Sequence, residues 1–100
     1  MRFKRELLTD SWTTQVDKLE TALTKADFGA GKDCLIIARE VVEDGQLHVV
    51  IVKNKESALR VSDWSPPVTQ EDGSFHYTCT FRLASTDHIV ESITAMARQV

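Results

Sequence analysis

The stretch that decides the fold class is residues 75–83, which read FHYTCTFRL. Every second residue is apolar, and successive side chains of a β-strand point to opposite faces of the sheet. One face of this strand carries Phe75, Tyr77, Cys79, Phe81 and Leu83. The other face carries His76, Thr78, Thr80 and Arg82. The alternation predicts a strand that is covered on one side and polar on the other, which is typical of an antiparallel sheet.

Two amphipathic helices are predicted towards the ends of the chain. The first covers about residues 11–26, where apolar residues recur every three or four positions after the capping run Thr9-Asp10-Ser11. The second follows the caps Ser85-Thr86-Asp87, and its apolar stripe consists of Ile89, Ile93, Met96 and Val100. Helices grouped at the chain ends favour an α+β fold over an alternating α/β fold.

A β-hairpin is predicted in the middle of the chain. The β-rich runs 34–42 and 47–53 flank Asp44-Gly45, and Asp-Gly between two such runs is a strong hairpin signal. A two-residue turn at Asp44-Gly45 would place Val42 opposite Leu47.

Both faces of this predicted hairpin are substantially apolar, and one layer of helices covers only one of them. We therefore expect the second face to bind a partner, because contiguous apolar patches on a surface mark interaction sites. The residues assigned to this partner-binding face are Ile36, Ala38, Val42, Leu47, Val49 and Ile51. Two alternatives stay open: helices on opposite faces of the sheet, or a curled sheet that covers the patch from within.

Trp64 is a further candidate for partner binding. It lies beside Pro66-Pro67 in residues 62–74, the longest stretch without a regular pattern. Tryptophan is enriched among residues that dominate binding energy, and loops often carry function. The alternative is that Trp64 folds back and covers the edge of the sheet.

The expected architecture is one α+β domain over residues 1–100, with an antiparallel sheet of about four strands and the two helices packed on it as a two-layer sandwich. Residues 2–8 fit either a short strand or the approach to the first helix. Residues 58–61 fit a further strand.

The sequence offers no catalytic constellation. The loop Gly29-Ala30-Gly31-Lys32 lacks the preceding glycine, the following Ser or Thr and the helix of a phosphate-binding loop. Cys34 and Cys79 lie in apolar strand patterns and are expected to be small buried residues. No histidine or cysteine spacing is typical of a metal site. We therefore expect no cofactor and no catalytic residue.

Composition limits the classes of partner. The formal net charge is −3, which gives no overall basic field, so we do not expect nucleic acid as the partner. No apolar run approaches the roughly 20 residues that cross a bilayer, so we expect no membrane partner. The N-terminus has no apolar signal segment, and we expect a cytoplasmic protein.

Two functions from different classes fit these observations. The first is a non-enzymatic protein-interaction module, either a homodimer or a small inhibitor-, immunity- or chaperone-like partner of another protein. The alternative is a small-molecule-binding protein or small enzyme that uses a cleft between sheet and helices. The residues expected to line that cleft are Arg39, His48, His76 and Arg82.

Overall fold

A computed structural model describes residues 2–26, 34–57, 63–82 and 86–97, which form a five-stranded mixed sheet and two helices. The elements in chain order are β1 (Arg2–Glu6), α1 (Asp10–Ala26), β2 (Cys34–Val41), β3 (Gln46–Lys53), β4 (Val68–Thr69), β5 (Phe75–Phe81) and α2 (Thr86–Ala97). The strand order in the sheet is β1-β2-β3-β5-β4. The α+β class is thus as predicted, and the sheet has one strand more than expected.

The sheet is mixed because β1 runs parallel to β2, whereas the other three pairings are antiparallel. Parallel neighbours need a crossover connection, and α1 is that connection: it carries the chain back so that β2 runs beside β1 in the same direction. The expectation of a purely antiparallel sheet was wrong at this point. The alternation within residues 2–8 is too weak to indicate a strand that pairs through a helix.

The β2–β3 hairpin has a four-residue turn over residues 42–45, not a two-residue turn, and Val41 pairs with Gln46. The N–H groups of Asp44 and Gly45 donate to the carbonyls of Val41 and Val42 at 3.2 and 3.3 Å. Gly45 closes the turn with φ 63°, which glycine adopts without strain. The predicted register was therefore wrong by two residues. Because the side-chain period of a strand is two, the partition into faces survived this error.

Both helices pack on the same face of the sheet, and this corrects the predicted partner-binding face. Five of its six residues lie under the helices with 0% of their surface exposed: Ile36, Ala38, Leu47, Val49 and Ile51. They form the core together with the stripe of α1 (Trp12, Val16, Leu19 and Leu23) and that of α2 (Ile89, Ile93, Met96 and Ala97). The sixth, Val42, is 63% exposed because the longer turn removes it from the ladder.

Two buried charged side chains tie the helices to the core face. The carboxylate of Glu40 accepts the backbone N–H of Thr9 at 3.0 Å and lies 2.6 and 2.8 Å from the Thr9 hydroxyl, at the start of α1. The ammonium of Lys53 donates to the carbonyl of Met96 at 2.9 Å, near the end of α2. Each charge has the sign that the adjacent helix end favours.

The helices and the deciding strand lie close to where the sequence places them. The first helix begins one residue earlier than predicted, and β5 ends at Phe81. The irregular stretch 62–74 contains the two-residue β4, which pairs with the start of β5. The predicted strand at 58–61, the glycine-rich loop, Leu83 and Val100 lie outside the described residues.

Candidate functional site

The face of the sheet opposite the helices, which we call the open face, is not covered by any element of the described residues. Its centre is aliphatic. Leu35 pairs with Val52 and Ile37 pairs with Val50 across β2 and β3, so the four side chains form a block. All four are partly buried between their neighbours on the sheet. We call Leu35, Ile37, Val50 and Val52 the aliphatic quartet.

Cationic side chains border the quartet. Register pairing sets Arg2 beside Leu35 and Lys4 beside Ile37, and both cations are exposed on the edge strand β1. Arg39 follows Ile37 on the same face of β2 and is also exposed. We call Arg2, Lys4 and Arg39 the cationic border.

Neutral and weakly basic side chains complete the surroundings of the quartet. His76 pairs with Val52 and Thr78 pairs with Val50, so β5 contributes no fixed charge beside the block. Glu6 is the one carboxylate that the described strands place on this face, and its Oε2 lies 3.7 Å from the Nζ of Lys4.

The open face differs in charge from the molecule as a whole. Its described strands carry three fixed cations against one carboxylate, whereas the whole chain has a formal net charge of −3. Carboxylates lie instead on the helices and in the turns, including Asp17, Glu20, Glu91, Glu43 and Asp44. The described strands of the open face therefore carry a net positive charge, in contrast to the chain as a whole.

The predicted ligand cleft between sheet and helices is not where its residues lie. Arg39, His48 and His76 are all on the open face, opposite the helices, since the alternate positions of β2, β3 and β5 fill the core. Arg39 and His48 are register partners, and burial, followed by the charge of Arg39, lowers the pKa of His48. Arg82 lies two strands away from Arg39 and two residues beyond its row of the sheet, so the two arginine backbones are roughly 12 Å apart.

A concave feature lies at the edge of the sheet beside β5. It is an open cleft of about 680 Å³. Its lining consists of Asp63, Trp64, Ser65, Thr78, Cys79, Thr80, Phe81, Arg82 and His88. Ser65 forms one wall by exchanging hydrogen bonds with Thr78: its N–H donates to the Thr78 carbonyl at 2.9 Å, and its hydroxyl accepts the Thr78 N–H at 3.0 Å. Of the four residues predicted for a ligand cleft, only Arg82 is here.

Trp64 is mainly a structural residue. It is 8% exposed, its indole N–H donates to the hydroxyl of Ser92 on α2 at 3.0 Å, and its ring meets Phe81 edge-on at 6.1 Å between centroids. The side chain thus closes the sheet edge against α2, which is the alternative role considered for it. Its assignment to a partner surface is not supported by this burial.

The thiols are poorly suited to nucleophilic chemistry. Burial, with a further effect of Asp63, raises the pKa of Cys79 to about 11, and burial also raises the pKa of Cys34. The thiolate is the reactive form, so both cysteines are largely unreactive at neutral pH. Within the described residues, no group of three His, Cys, Asp or Glu side chains is placed to hold a metal ion.

The aliphatic quartet is the feature that the sequence analysis missed. The pairing of β3 with β5 decides which face of β3 is exposed, because it places Val49 beside Cys79. The apolar face of β5 must lie on the core, so Val49 lies there too and Val50 faces outwards. Glu40 and Lys53 obscure this signal, because both are charged residues on the core face.

Comparison with protein-family models, curated proteins and solved structures found no match to this chain. Among the described residues, neither helix has the length and apolar character needed to cross a membrane.

Proposed function

We propose that the protein is a non-enzymatic protein-interaction module that binds its partner through the open face. The observation that carries this proposal is the position of both helices on one side of the sheet, which leaves the aliphatic quartet on the other. Sheets with one solvated face normally carry polar residues there. Leu35, Ile37, Val50 and Val52 depart from that rule at the two central strands.

The size of the open face indicates the strength of the interaction. Four strands of five to eight residues, with the two-residue β4 beside them, lie about 4.8 Å apart and give a face of roughly 20 by 20 Å. A partner that covers it would bury on the order of 1,000 Å² in total, which is near the lower limit for a specific interface. We therefore expect a reversible complex. A homodimer and a small inhibitor-, immunity- or chaperone-like partner of another protein are the two forms that this function can take.

The proposal is tested with a charge placed inside the quartet. Val50→Asp changes the centre of the open face, and Lys18→Glu, on the exposed side of α1, is a control that also makes the chain more acidic. The wild type and both variants are examined by sedimentation velocity and as baits in lysate of the native host. We expect self-association or a captured protein that the wild type and Lys18→Glu retain and that Val50→Asp loses.

The opposite result is equally clear. If the wild type is monomeric and every captured protein is retained equally by folded Val50→Asp, the open face is not a binding surface.

The edge cleft supports a second candidate function, the binding of a small molecule. Its volume of about 680 Å³ is in the range of ligand sites, and Arg82 provides a cation at its rim. An anionic small molecule is the ligand class that this arrangement would favour. Chemical-shift mapping with a library of small carboxylates and phosphates tests it: binding would shift the resonances of Thr80 and Arg82, and shifts confined to other regions would contradict it.

A further inference from the structure

The cationic border indicates the chemistry of the partner. Arg2 and Lys4 flank the aliphatic quartet on its β1 side, and Arg39 flanks it along β2. Among the described strand residues of this face, only Glu6 is a carboxylate, and it pairs with Lys4. An apolar centre with a positive border, in a chain of net charge −3, is complementary to a surface that is apolar and acidic.

We propose that the open face binds an acidic amphipathic helix of another protein, with the apolar stripe of the helix on the quartet and its carboxylates beside the cationic border. This inference rests on the proposed function of the open face. An α-helix is about 10 Å wide, close to the combined width of the two strands that carry the quartet. The bound helix would form a third layer and cover the face that α1 and α2 leave open.

A second copy of the chain fits this face less well. Two copies could stack with their quartets in contact, related by a two-fold axis that runs along the strands. The register then places Lys4 opposite Thr78, and Arg2 opposite His76, of the other copy. A two-fold axis across the strands sets Arg2 opposite Lys4. Among the described residues, neither arrangement brings a carboxylate of the other copy to Arg2 or Lys4, and the second one places these like charges together.

Nucleic acid and membrane fit less well than an acidic helix. Single-stranded nucleic acid is bound through aromatic side chains on which bases stack, and the described strands place no Phe, Tyr or Trp on the open face. Membrane anchoring requires apolar side chains that penetrate several ångströms into the lipid, whereas the quartet residues are partly buried between neighbouring strands. An acidic helix uses both the flat apolar centre and the border.

The experiment is a selection from a displayed library of amphipathic helices of about 16 residues, a length that is sufficient for helix formation. Positions beside the apolar stripe vary among Glu, Gln and Lys. The bait is the full chain, with counter-selection against Val50→Asp. We expect the enriched peptides to be rich in Glu, and the affinity of a synthesised representative to fall as salt rises.

Matched charge variants then locate the contact. We expect Lys4→Glu to weaken binding of the selected peptide by about three- to tenfold, since it replaces an attractive charge with a repulsive one at the border. Lys18→Glu makes the same change in net charge on the opposite side of the molecule and is expected to alter the affinity by less than about twofold. Equal effects of the two variants would show that net charge alone is responsible, and would overturn the proposal.

The remaining outcomes separate this proposal from the proposed function. Enrichment of neutral or Lys-rich peptides that still depends on Val50 overturns the acidic helix and leaves the open face as a protein-binding surface. A wild-type homodimer that Val50→Asp dissociates does the same. Val50-dependent binding to phosphatidylserine vesicles or to oligothymidine, without enrichment of acidic peptides, overturns both in favour of those ligands. If none of these probes binds and no partner in the lysate depends on Val50, both the acidic-helix proposal and the proposed function are overturned.

Discussion

At the scale of single residues, the buried carboxylate of Glu40 is stabilised by neutral donors. Its described partners are the N–H and the hydroxyl of Thr9, the residue just before α1. The Thr9 carbonyl accepts the N–H groups of Trp12 and Thr13 at 3.2 Å, so this residue begins the helix as well. One threonine thus joins the start of α1 to the end of β2.

We expect Thr9→Val to lower the free energy of unfolding by about 1–3 kcal/mol, because the isosteric side chain removes the hydroxyl donor to a buried charge. Thr9→Ser keeps the hydroxyl and serves as the control. Urea denaturation at neutral pH measures both variants. A Thr9→Val protein as stable as the Thr9→Ser protein would show that the hydroxyl does not stabilise Glu40.

The thiol of Cys79 provides a second residue-scale prediction. With a pKa of about 11, it is almost entirely protonated at pH 8. We expect a disulfide reagent to modify it at least about a hundredfold more slowly in the folded chain than in urea, given the ordinary thiol pKa of about 8.5. A Cys34→Ser background isolates the Cys79 signal. Similar rates in the two states would contradict the burial described for this side chain.

The titration of His48 provides a third prediction at the scale of single residues. Burial and Arg39 lower the pKa of this imidazole in the folded state, and its neighbour on β5, Thr80, is uncharged. Between the lowered pKa and the ordinary value of about 6.5, the unfolded chain binds more protons. The contribution of His48 to stability is therefore present above about pH 6.5 and is lost as the pH falls through this window.

We accordingly expect His48→Gln to lose less stability than the wild type between pH 7.5 and pH 5.5, with urea denaturation as the measurement. Arg39→Gln removes the second cause of the shift and should have an intermediate effect. Identical pH profiles for the wild type and His48→Gln would contradict the prediction.

At the scale of elements, β3 is the strand on which the functional interpretation depends. Both of its faces are aliphatic, and the two differ only in what covers them: Val49 is fully buried under the helices, whereas Val50 faces outwards in the quartet. Adjacent residues of one strand therefore report on the core and on the candidate binding surface separately.

We expect Val49→Asp to lower the free energy of unfolding by about 4 kcal/mol or more, because it places an unpaired charge in the core. Val50→Asp should cost about 1 kcal/mol or less, since its carboxylate reaches solvent. Thermal or urea denaturation of the two variants makes the comparison. Equal losses would mean that the face assignment of β3 is incorrect.

The same strand shows how far the sequence determines the fold. The hairpin, both helices and the membership of each strand face follow from local periodicity and turn residues. The choice of which face is the core depends on the pairing of Val49 with Cys79, a long-range contact that neither run specifies alone. The parallel pairing of β1 depends on where α1 returns the chain. Arg39 and His48 were predicted for a cleft between sheet and helices, whereas they lie on the open face, and the quartet beside them was not predicted as a binding surface.

At the scale of the whole molecule, the acidic-partner proposal implies that the isolated chain is a monomer. The radius of gyration of the structure is 12.8 Å over the Cα atoms. We expect about 13 Å from small-angle scattering at micromolar concentration, the value usual for a monomer of this length. Two copies stacked through the open faces would be thicker and would give roughly 17 Å. The larger value would favour the homodimer.

Both tryptophans lie on the helix side of the sheet. Trp12 is fully buried and donates its indole N–H to the Gly45 carbonyl at 3.4 Å, and Trp64 is enclosed against α2. Intrinsic tryptophan fluorescence will therefore report the loss of tertiary structure, and we expect it to remain unchanged when a ligand binds to the open face. Affinity measurements for a ligand of the open face need their dye on the other molecule, and an unchanged emission spectrum during such a titration is not a sign that nothing has bound.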